Sequence, residues 1–502
     1  MTDVSIDPKP STVVGYAVTH SPDPDHLLNY IDGQWRASVS GDTRRNINPA
    51  DLNDVIGEFT ESVTADVTTA VDAAERARIE WDAIGPIERA KVLTRAARII
   101  EDRIDILAAA ITREQGKRLN EARGEVTRSL AILDFTIGEA RRINGVTTPA
   151  EEPRTIVMTF RRPLGVVGLI TPWNFPVAIP MWKIAPALIA GCGAVLKPSP
   201  LTPWTSALLV QAFHDAGVPA GVLNLIQGDR EAGEAIVNDP RVAGISFTGS
   251  LPVGQAINRA GADRLMRTQL ELGGKNALLV LDDADLDAAV EAIIHGAFGQ
   301  SGQRCSATSR VIVDAKVHDA LLERLAPRVR AMKIGRGDQS WSDIGPVVNE
   351  ERHQACITAI ERAITDGAKV VAGGEAAELD TPGFFIKPTI LDDVAWDSEL
   401  AQEEVFGPVL SVITCDGYDD AMRISNSVKY GMSGTIFTQD PSRIFQALQE
   451  FQAGMLHVNR PGVGAYSHLP HMGAKASQLG APECSPEVWQ FYTDLRSACI
   501  RY

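Results

Sequence analysis

The hydrophobic positions of this chain change their period part-way along it. From Asp66 to about Arg123 they recur at helical spacing: Val71, Ala74 and Ala77, then Leu93, Ala97 and Ile100, then Ile104, Leu107 and Ile111. That period predicts a run of amphipathic helices. Asp66 is placed as an N-cap and Pro86 in a first helical turn, where those residues are favoured. Ahead of them Tyr30-Ile31-Asp32-Gly33-Gln34-Trp35 reads as a strand entering a glycine turn, and residues 1–28 as a loosely ordered tail. After residue 160 short apolar runs alternate with helical ones. Gly165–Ile170, Gly193–Leu196, Val222–Ile226 and Ala243–Phe247 are β-like, while Trp182–Ala190 and Leu208–Ala216 are helical. Buried parallel strands joined by crossover helices give this texture, so an α/β fold with a doubly wound domain is expected. The alternation restarts at Ala277–Leu281 and runs through Arg310–Val313, predicting a second α/β domain.

Length agrees, since 502 residues exceed one simple core. The net charge of −16 argues against nucleic acid or an anionic membrane as partner, and requires local positive charge wherever an anionic substrate binds. The longest apolar run, Ile184 to Leu196, is too short for a bilayer and is broken by Pro186, Gly191 and Gly193. The six cysteines are scattered without metal-ligand spacing, so no metal is expected. The first residues are polar and proline-rich, which with reduced thiols predicts a cytoplasmic protein.

Two short stretches carry candidate chemistry. Glu271-Leu272-Gly273-Gly274-Lys275-Asn276 offers a carboxylate on a glycine-bounded turn. Gly302-Gln303-Arg304-Cys305 offers a lone thiol where backbone amides and a nearby cation favour the thiolate. Together they point to covalent catalysis on a carbonyl. Thr171-Pro172-Trp173-Asn174-Phe175-Pro176 would hold the Asn174 amide rigidly at a strand end, where an N–H can stabilise an oxyanion. Lys197-Pro198-Ser199 ends a strand, and Phe247-Thr248-Gly249-Ser250, with Gly254 beyond, opens a helix in the manner of a diphosphate site. Glu403-Glu404-Val405-Phe406-Gly407-Pro408 places acids before an aromatic and a turn. Each alone has an ordinary reading: a proline turn, a solvated lysine, a glycine bend, an acidic loop, an inert buried thiol. Their combination in this order reverses that.

The full set resembles the aldehyde dehydrogenase superfamily from about residue 30 to the C-terminus. Lesser matches lie at Asn48-Pro49-Ala50, Glu114-Gln115-Gly116-Lys117, Lys387-Pro388-Thr389, Tyr430-Gly431 and Val458-Asn459. The resemblance implies a Rossmann-like cofactor domain (1–142 and 161–273), an α/β catalytic domain (274–482) and a β-ribbon flap (143–160 with 483–502) that makes a homo-oligomer, dimer or tetramer. It implies that Cys305 attacks the aldehyde, that Asn174 and the Cys305 N–H hold the oxyanion, and that Glu271 activates the water releasing a free acid. Lys183 becomes a proton-relay partner. Lys197 and Glu404 would hold the two riboses, Gly249 and Ser250 the diphosphate, and Trp173 and Phe406 would line the cofactor site.

Two departures matter. Pro200 stands where NAD-preferring relatives carry a glutamate, so Lys197, Ser199 and Arg230 are free to accept a 2′-phosphate, and NADP or dual NADP/NAD use is expected. His471 stands where an aromatic usually lines the substrate funnel. Arg128, Arg304 and Arg460 are candidates to bind an anionic substrate beside an apolar wall of Ile179 and Trp182. The stretch Gly302–Val313 is most similar to enzymes oxidising 2-oxoglutarate semialdehyde, with succinate semialdehyde dehydrogenases nearby. Alternatives are an aromatic or aliphatic aldehyde, a non-phosphorylating glyceraldehyde-3-phosphate dehydrogenase, and a non-catalytic member.

Overall fold

Five parallel strands form the middle of the first sheet, in the order Arg267–Glu271, Val242–Thr248, Val166–Ile170, Gly193–Lys197, Leu223–Leu225. The computed structural model describes residues 22–464 and 466–502. The chain starts the parallel set centrally at Val166, winds outward through Gly193 and Leu223, then crosses to Val242 and Arg267. The carboxyl ends of Val166–Ile170 and Val242–Thr248 therefore flank a topological switch point, where open α/β sheets leave a ligand crevice. All of Val166–Ile170 is buried because helices cover both faces. Val67, Ala70, Val71 and Ile236 pack on one side. Leu93, Ile111, Leu133 and Leu188 pack on the other.

The second sheet runs Lys369–Ala372, Thr389–Asp392, Val409–Cys415, Thr308–Asp314, Asn276–Val280, Ser433–Phe437, Met455–Val458, parallel except at the Lys369 edge. A third, antiparallel sheet pairs Thr155–Pro163 with Thr493–Arg501 and adds Thr147–Thr148. The doubly wound expectation is met twice over.

Local expectations shift for identifiable reasons. The helix Thr64–Ala83 is capped at Val63, and Asp66 lies inside its first turn, reaching back to the Val63 N–H at 3.0 Å. Pro86 does sit in the first turn of Gly85–Asp102. The expected strand at Tyr30–Trp35 is a hairpin, Asn29–Ile31 with Gln34–Arg36, turning on left-handed Asp32 and Gly33. Asp-Gly suits such a turn because its twist matches that of the strands. Part of the supposed tail is ordered, His26–Leu27 pairing with Glu58 and Phe59, while residues 1–21 lie outside the described residues. The helix expected from Trp182 begins at Ala178. Glu125, on the distant helix Leu119–Glu139, accepts from the Val177 and Ala178 N–H groups at 2.8 and 3.1 Å and so caps it from outside.

The expected domain limits also move. Gln478–Leu479 joins the edge of the first sheet rather than the second, and the ribbon strand runs on to Pro163. Val488, Trp489, Phe491 and Tyr492 are buried in the core of the first domain, so the C-terminal ribbon strand starts only at Thr493. Among the described residues no helix is long and apolar enough to cross a membrane.

Candidate active site

The helix Leu286–Phe298 ends in a left-handed turn through Gln300, Ser301 and Gly302. For Gln300 and Ser301 that backbone costs about 1 kcal/mol or more each. It is held by Ser301 Oγ donating to the Gly345 carbonyl at 2.8 Å and by the Val348 N–H donating to Gln303 Oε1 at 3.0 Å. At Gly302 a Cβ would lie 2.2 Å from the Gly407 carbonyl oxygen, so no other residue fits. Asn276 then pins the loop: its Nδ2 donates to the Cys305 and Ala307 carbonyls at 2.8 and 2.9 Å, while its Oδ1 accepts from the Ser433 N–H at 2.9 Å. Cys305 thus stands immediately before Thr308–Asp314, at the amino edge of the second sheet.

The switch-point crevice of the first sheet meets it there. Asn174, buried just past Val166–Ile170, donates through Nδ2 to the Gln303 carbonyl at 3.1 Å. The Asn174 backbone carbonyl accepts from Lys117 Nζ at 2.6 Å, and Lys117 is paired with Glu125 at 2.7 Å in full burial. With one Nδ2 N–H fixed on the Gln303 carbonyl and the backbone held by Lys117, the second Nδ2 N–H is left over, as an oxyanion donor requires, while Oδ1 has no partner among the described residues.

Glu271 ends the strand Arg267–Glu271 and is 1% exposed, and neither carboxylate oxygen has a partner among the described residues. Burial, then the charge of Glu483, push its pKa well above the usual range, against the opposing pull of Lys183. Lys183 itself is fully buried in an ion pair with Glu483 and donates to Ser246 Oγ at 2.9 Å. The Cys305 thiol is pushed up to about 12, by burial first and then by Glu271, Glu404 and Glu483, with Arg128 the cation opposing them. Burial first, and then the neighbouring carboxylates, thus act against the resting thiolate expected from the sequence, and Arg128 alone among the named groups favours it.

The residues expected around a dinucleotide have these surroundings. Ser250 caps the helix Leu251–Ala262, and at Gly249 a Cβ would lie 2.5 Å from the Phe247 ring. The Trp173 and Phe406 rings meet edge to face, 5.4 Å between centroids. Glu404 Oε1 accepts from the Gly274 N–H at 3.0 Å and lies so close over Gly273 that a Cβ there would sit 2.2 Å from Oε2. Burial raises Glu404 to about 7. Lys197 Nζ, buried, donates to the Pro198 and Gly228 carbonyls at 2.9 and 2.8 Å, and burial lowers its pKa to about 8. A cavity of about 270 Å³ leads to Cys305, lined by Arg128, Ile179, Trp182, His457 and His471 among others.

The sequence profile of the Aldehyde dehydrogenase family matches residues 35–498. The chain belongs to that family. It is similar to the alpha-ketoglutaric semialdehyde dehydrogenase of Bacillus subtilis (strain 168), with 40% identity covering 94% of this chain and 98% of that one. It is 41% identical to the 2,5-dioxopentanoate dehydrogenase of Saccharolobus solfataricus, covering 90% and 95%. Betaine aldehyde dehydrogenase from Staphylococcus aureus, solved in complex with NAD+, superposes at TM-score 0.92 with 31% identity over 95% of each chain.

As an aldehyde dehydrogenase, an NAD(P)-dependent enzyme of aldehyde oxidation, the chain departs from several expectations about its site. Arg230 points to solvent, its side chain 87% exposed and paired with Glu234 one helical turn away, so it does not reach Lys197. The charges acting on Lys197 are instead Asp229, Glu61 and Arg44. Ser199 Oγ is occupied in its own turn, accepting from the Leu201 N–H at 3.2 Å. Arg304 lines the cavity but is drawn to Glu121 at 3.8 Å. Arg460 lies outside the cavity lining, donating to the Tyr466 hydroxyl at 3.0 Å. Of the three arginines, Arg128 alone lines the cavity with no ion pair or hydrogen bond among the described residues. Sequence reasoning missed Glu483, Glu125 and His457. Only Lys117 had a signal, as part of a family match without a role.

Proposed function

We propose that the enzyme oxidises an acidic semialdehyde, 2-oxoglutarate or succinate semialdehyde, to the free dicarboxylic acid. The observation that carries this is Arg128. Its unpaired guanidinium, half-buried 5.5 Å from the Trp182 ring, opens into the cavity that ends at Cys305. A desolvated cation without a counterion is costly, and a carboxylate arriving in the tunnel satisfies it. The relatives named as semialdehyde dehydrogenases support the reading.

Cys305 adds to the carbonyl carbon, its proton leaving toward the Glu271 carboxylate, and the Asn174 amide with the Cys305 N–H holds the oxyanion. Trp173, Phe406 and Glu404 are the residues that would hold a nicotinamide, which when bound would supply the hydride acceptor; Cys305 is then left carrying the acyl group as a thioester. Glu271 then takes a proton from the water that cleaves the thioester, and Glu483 with Lys183 carries that proton onward. The residues around Lys197 and Gly249 fit a dinucleotide. With Pro200 in place of an acid we infer that NADP is accepted beside NAD, Lys197 holding the ribose.

The test compares kcat/KM for succinate or 2-oxoglutarate semialdehyde with an uncharged aldehyde of similar length, with NAD and NADP in parallel. Arg128→Gln is expected to lower kcat/KM for the acid roughly 10²-fold, the scale of a lost buried charge pair, and to leave the uncharged aldehyde nearly unchanged. Equal use of both aldehydes by the unaltered enzyme would remove the acidic-substrate reading.

We also propose that the third sheet is an intersubunit ribbon. Leu495 and Ile500 on Thr493–Arg501, and Ile156 on Thr155–Pro163, are exposed at 57%, 48% and 41%, an apolar surface a second copy would cover. Light scattering is expected to give the mass of a dimer or tetramer, and a monomer would refute the assignment. With all six cysteines unpaired, a reducing compartment such as the cytoplasm fits.

A further inference from the structure

We propose that His471 reads the 2-oxo group of the substrate, so that the tunnel prefers 2-oxoglutarate semialdehyde over 5-oxopentanoate, which differs only in lacking that oxygen. The inference rests on the acidic-substrate reading above and extends it to the second carbonyl.

His471 is 5% exposed and lines the cavity that holds Cys305. Its ring lies against Trp182, 4.5 Å between centroids, and the same indole carries the Arg128 guanidinium at 5.5 Å. Imidazole and guanidinium thus both lie against one indole, near enough for the Arg128 charge to act on the imidazole. Its backbone is pinned by reciprocal hydrogen bonds with Glu483, 2.8 and 3.0 Å, so the ring is not free to leave.

Neither ring nitrogen has a partner among the described residues, and Nδ1 is sealed away from the cavity. Burial, with Arg128 and Lys183 nearby, lowers the pKa to about 3, so the imidazole is neutral and carries one N–H. A buried orphan acceptor is tolerated better than a buried orphan donor. The tautomer that strands no buried donor carries its proton on Nε2, the nitrogen not sealed off, and leaves Nδ1 bare. A phenyl ring would fill the slot without stranding any polar atom, so the imidazole requires a compensating contact when the tunnel is occupied.

A 2-oxo acid provides it. Its carboxylate and keto oxygens lie side by side at one end of the molecule, asking for a cation and a neutral donor placed together. Arg128 and His471 are that combination. Burial and then Arg460 lower the pKa of His457, also in the tunnel, and burial and then Arg304 lower that of His295, which disfavours a second imidazolium beside the carboxylate.

The experiment measures kcat/KM for 2-oxoglutarate semialdehyde, 5-oxopentanoate and pentanal with the purified full-length enzyme and with His471→Phe and His471→Gln. In His471→Phe the ratio of the 2-oxo acid to 5-oxopentanoate is expected to fall about ten-fold, through loss on the 2-oxo acid alone, as for one hydrogen bond to a discriminating group. His471→Gln, which keeps an N–H donor, is expected to recover part of that ratio. An unchanged ratio, or equal loss on both acids, overturns the inference. Pentanal separates the two readings: if both acids beat pentanal while the ratio ignores residue 471, the acidic-substrate reading stands and this one falls. If the unaltered enzyme uses pentanal as well as the acids, the acidic-substrate reading falls first. Should His471→Phe not fold, His471→Gln against the unaltered enzyme still decides: a 2-oxo preference no smaller in the variant than in the parent overturns the role of the ring.

Discussion

Replacing Cys305 by alanine is expected to abolish aldehyde oxidation, a loss on the order of 10⁵-fold or more, while cofactor binding is retained. The separation is built into the structure. The loop is held by backbone and by neighbours: the Asn276 amide grips the Cys305 carbonyl, and Ser301 and Gln303 anchor the turn before it. None of these contacts uses the sulfur. Lys197, Gly249, Ser250, Glu404 and the Trp173–Phe406 pair likewise stand without it. Cofactor affinity, read by titration of protein fluorescence, should therefore match that of the parent. Dehydrogenation surviving in the variant would sink the covalent mechanism. Loss of cofactor binding together with activity would instead show that the thiol supports the fold of the crevice.

The frame of this molecule is readable from its chain because burial on both faces imposes a pattern. Val166–Ile170 and Ala277–Val280 are continuous apolar runs, as strands covered by helices on both sides are built. The candidate positions Cys305, Glu271, Asn174 and Glu404 stand out in the sequence because each lies beside a turn whose glycines or prolines are themselves visible. What sequence could not show is which charges surround them. Cys305 follows an arginine in sequence, yet that arginine is drawn to Glu121, and the carboxylates acting on the thiol come from residues 271, 404 and 483. Arg230 follows Gly228 closely but lies on the solvent side of its helix, whereas Arg44, far upstream, reaches Asp229 at 2.9 Å. Glu483 has no local signature at all. It is brought to Lys183 by backbone pairing with His471 and by Gln269 donating to the Pro482 carbonyl at 3.0 Å.

That hidden carboxylate bears on the second large effect. Replacing Glu271 by glutamine is expected to leave a single burst of reduced cofactor, followed by steady turnover lowered roughly 10³-fold, the weight of a general base. Formation of the thioester consumes the aldehyde and the hydride acceptor once per site. Its hydrolysis needs a group to take a proton from water, and an amide cannot. Glu271 is suited to that work by its isolation: neither oxygen has a partner among the described residues, so burial and Glu483 raise its proton affinity. The direction of the pH dependence follows. Below its raised pKa Glu271 is protonated and idle, and as pH rises through that value the carboxylate forms and turnover climbs. The parent's steady-state rate should therefore rise across this limb, and the variant's should lack it. Full turnover in the glutamine variant, or the same rising limb, would take the base role from Glu271 and leave Glu483, across its ion pair with Lys183, as the remaining carboxylate beside it.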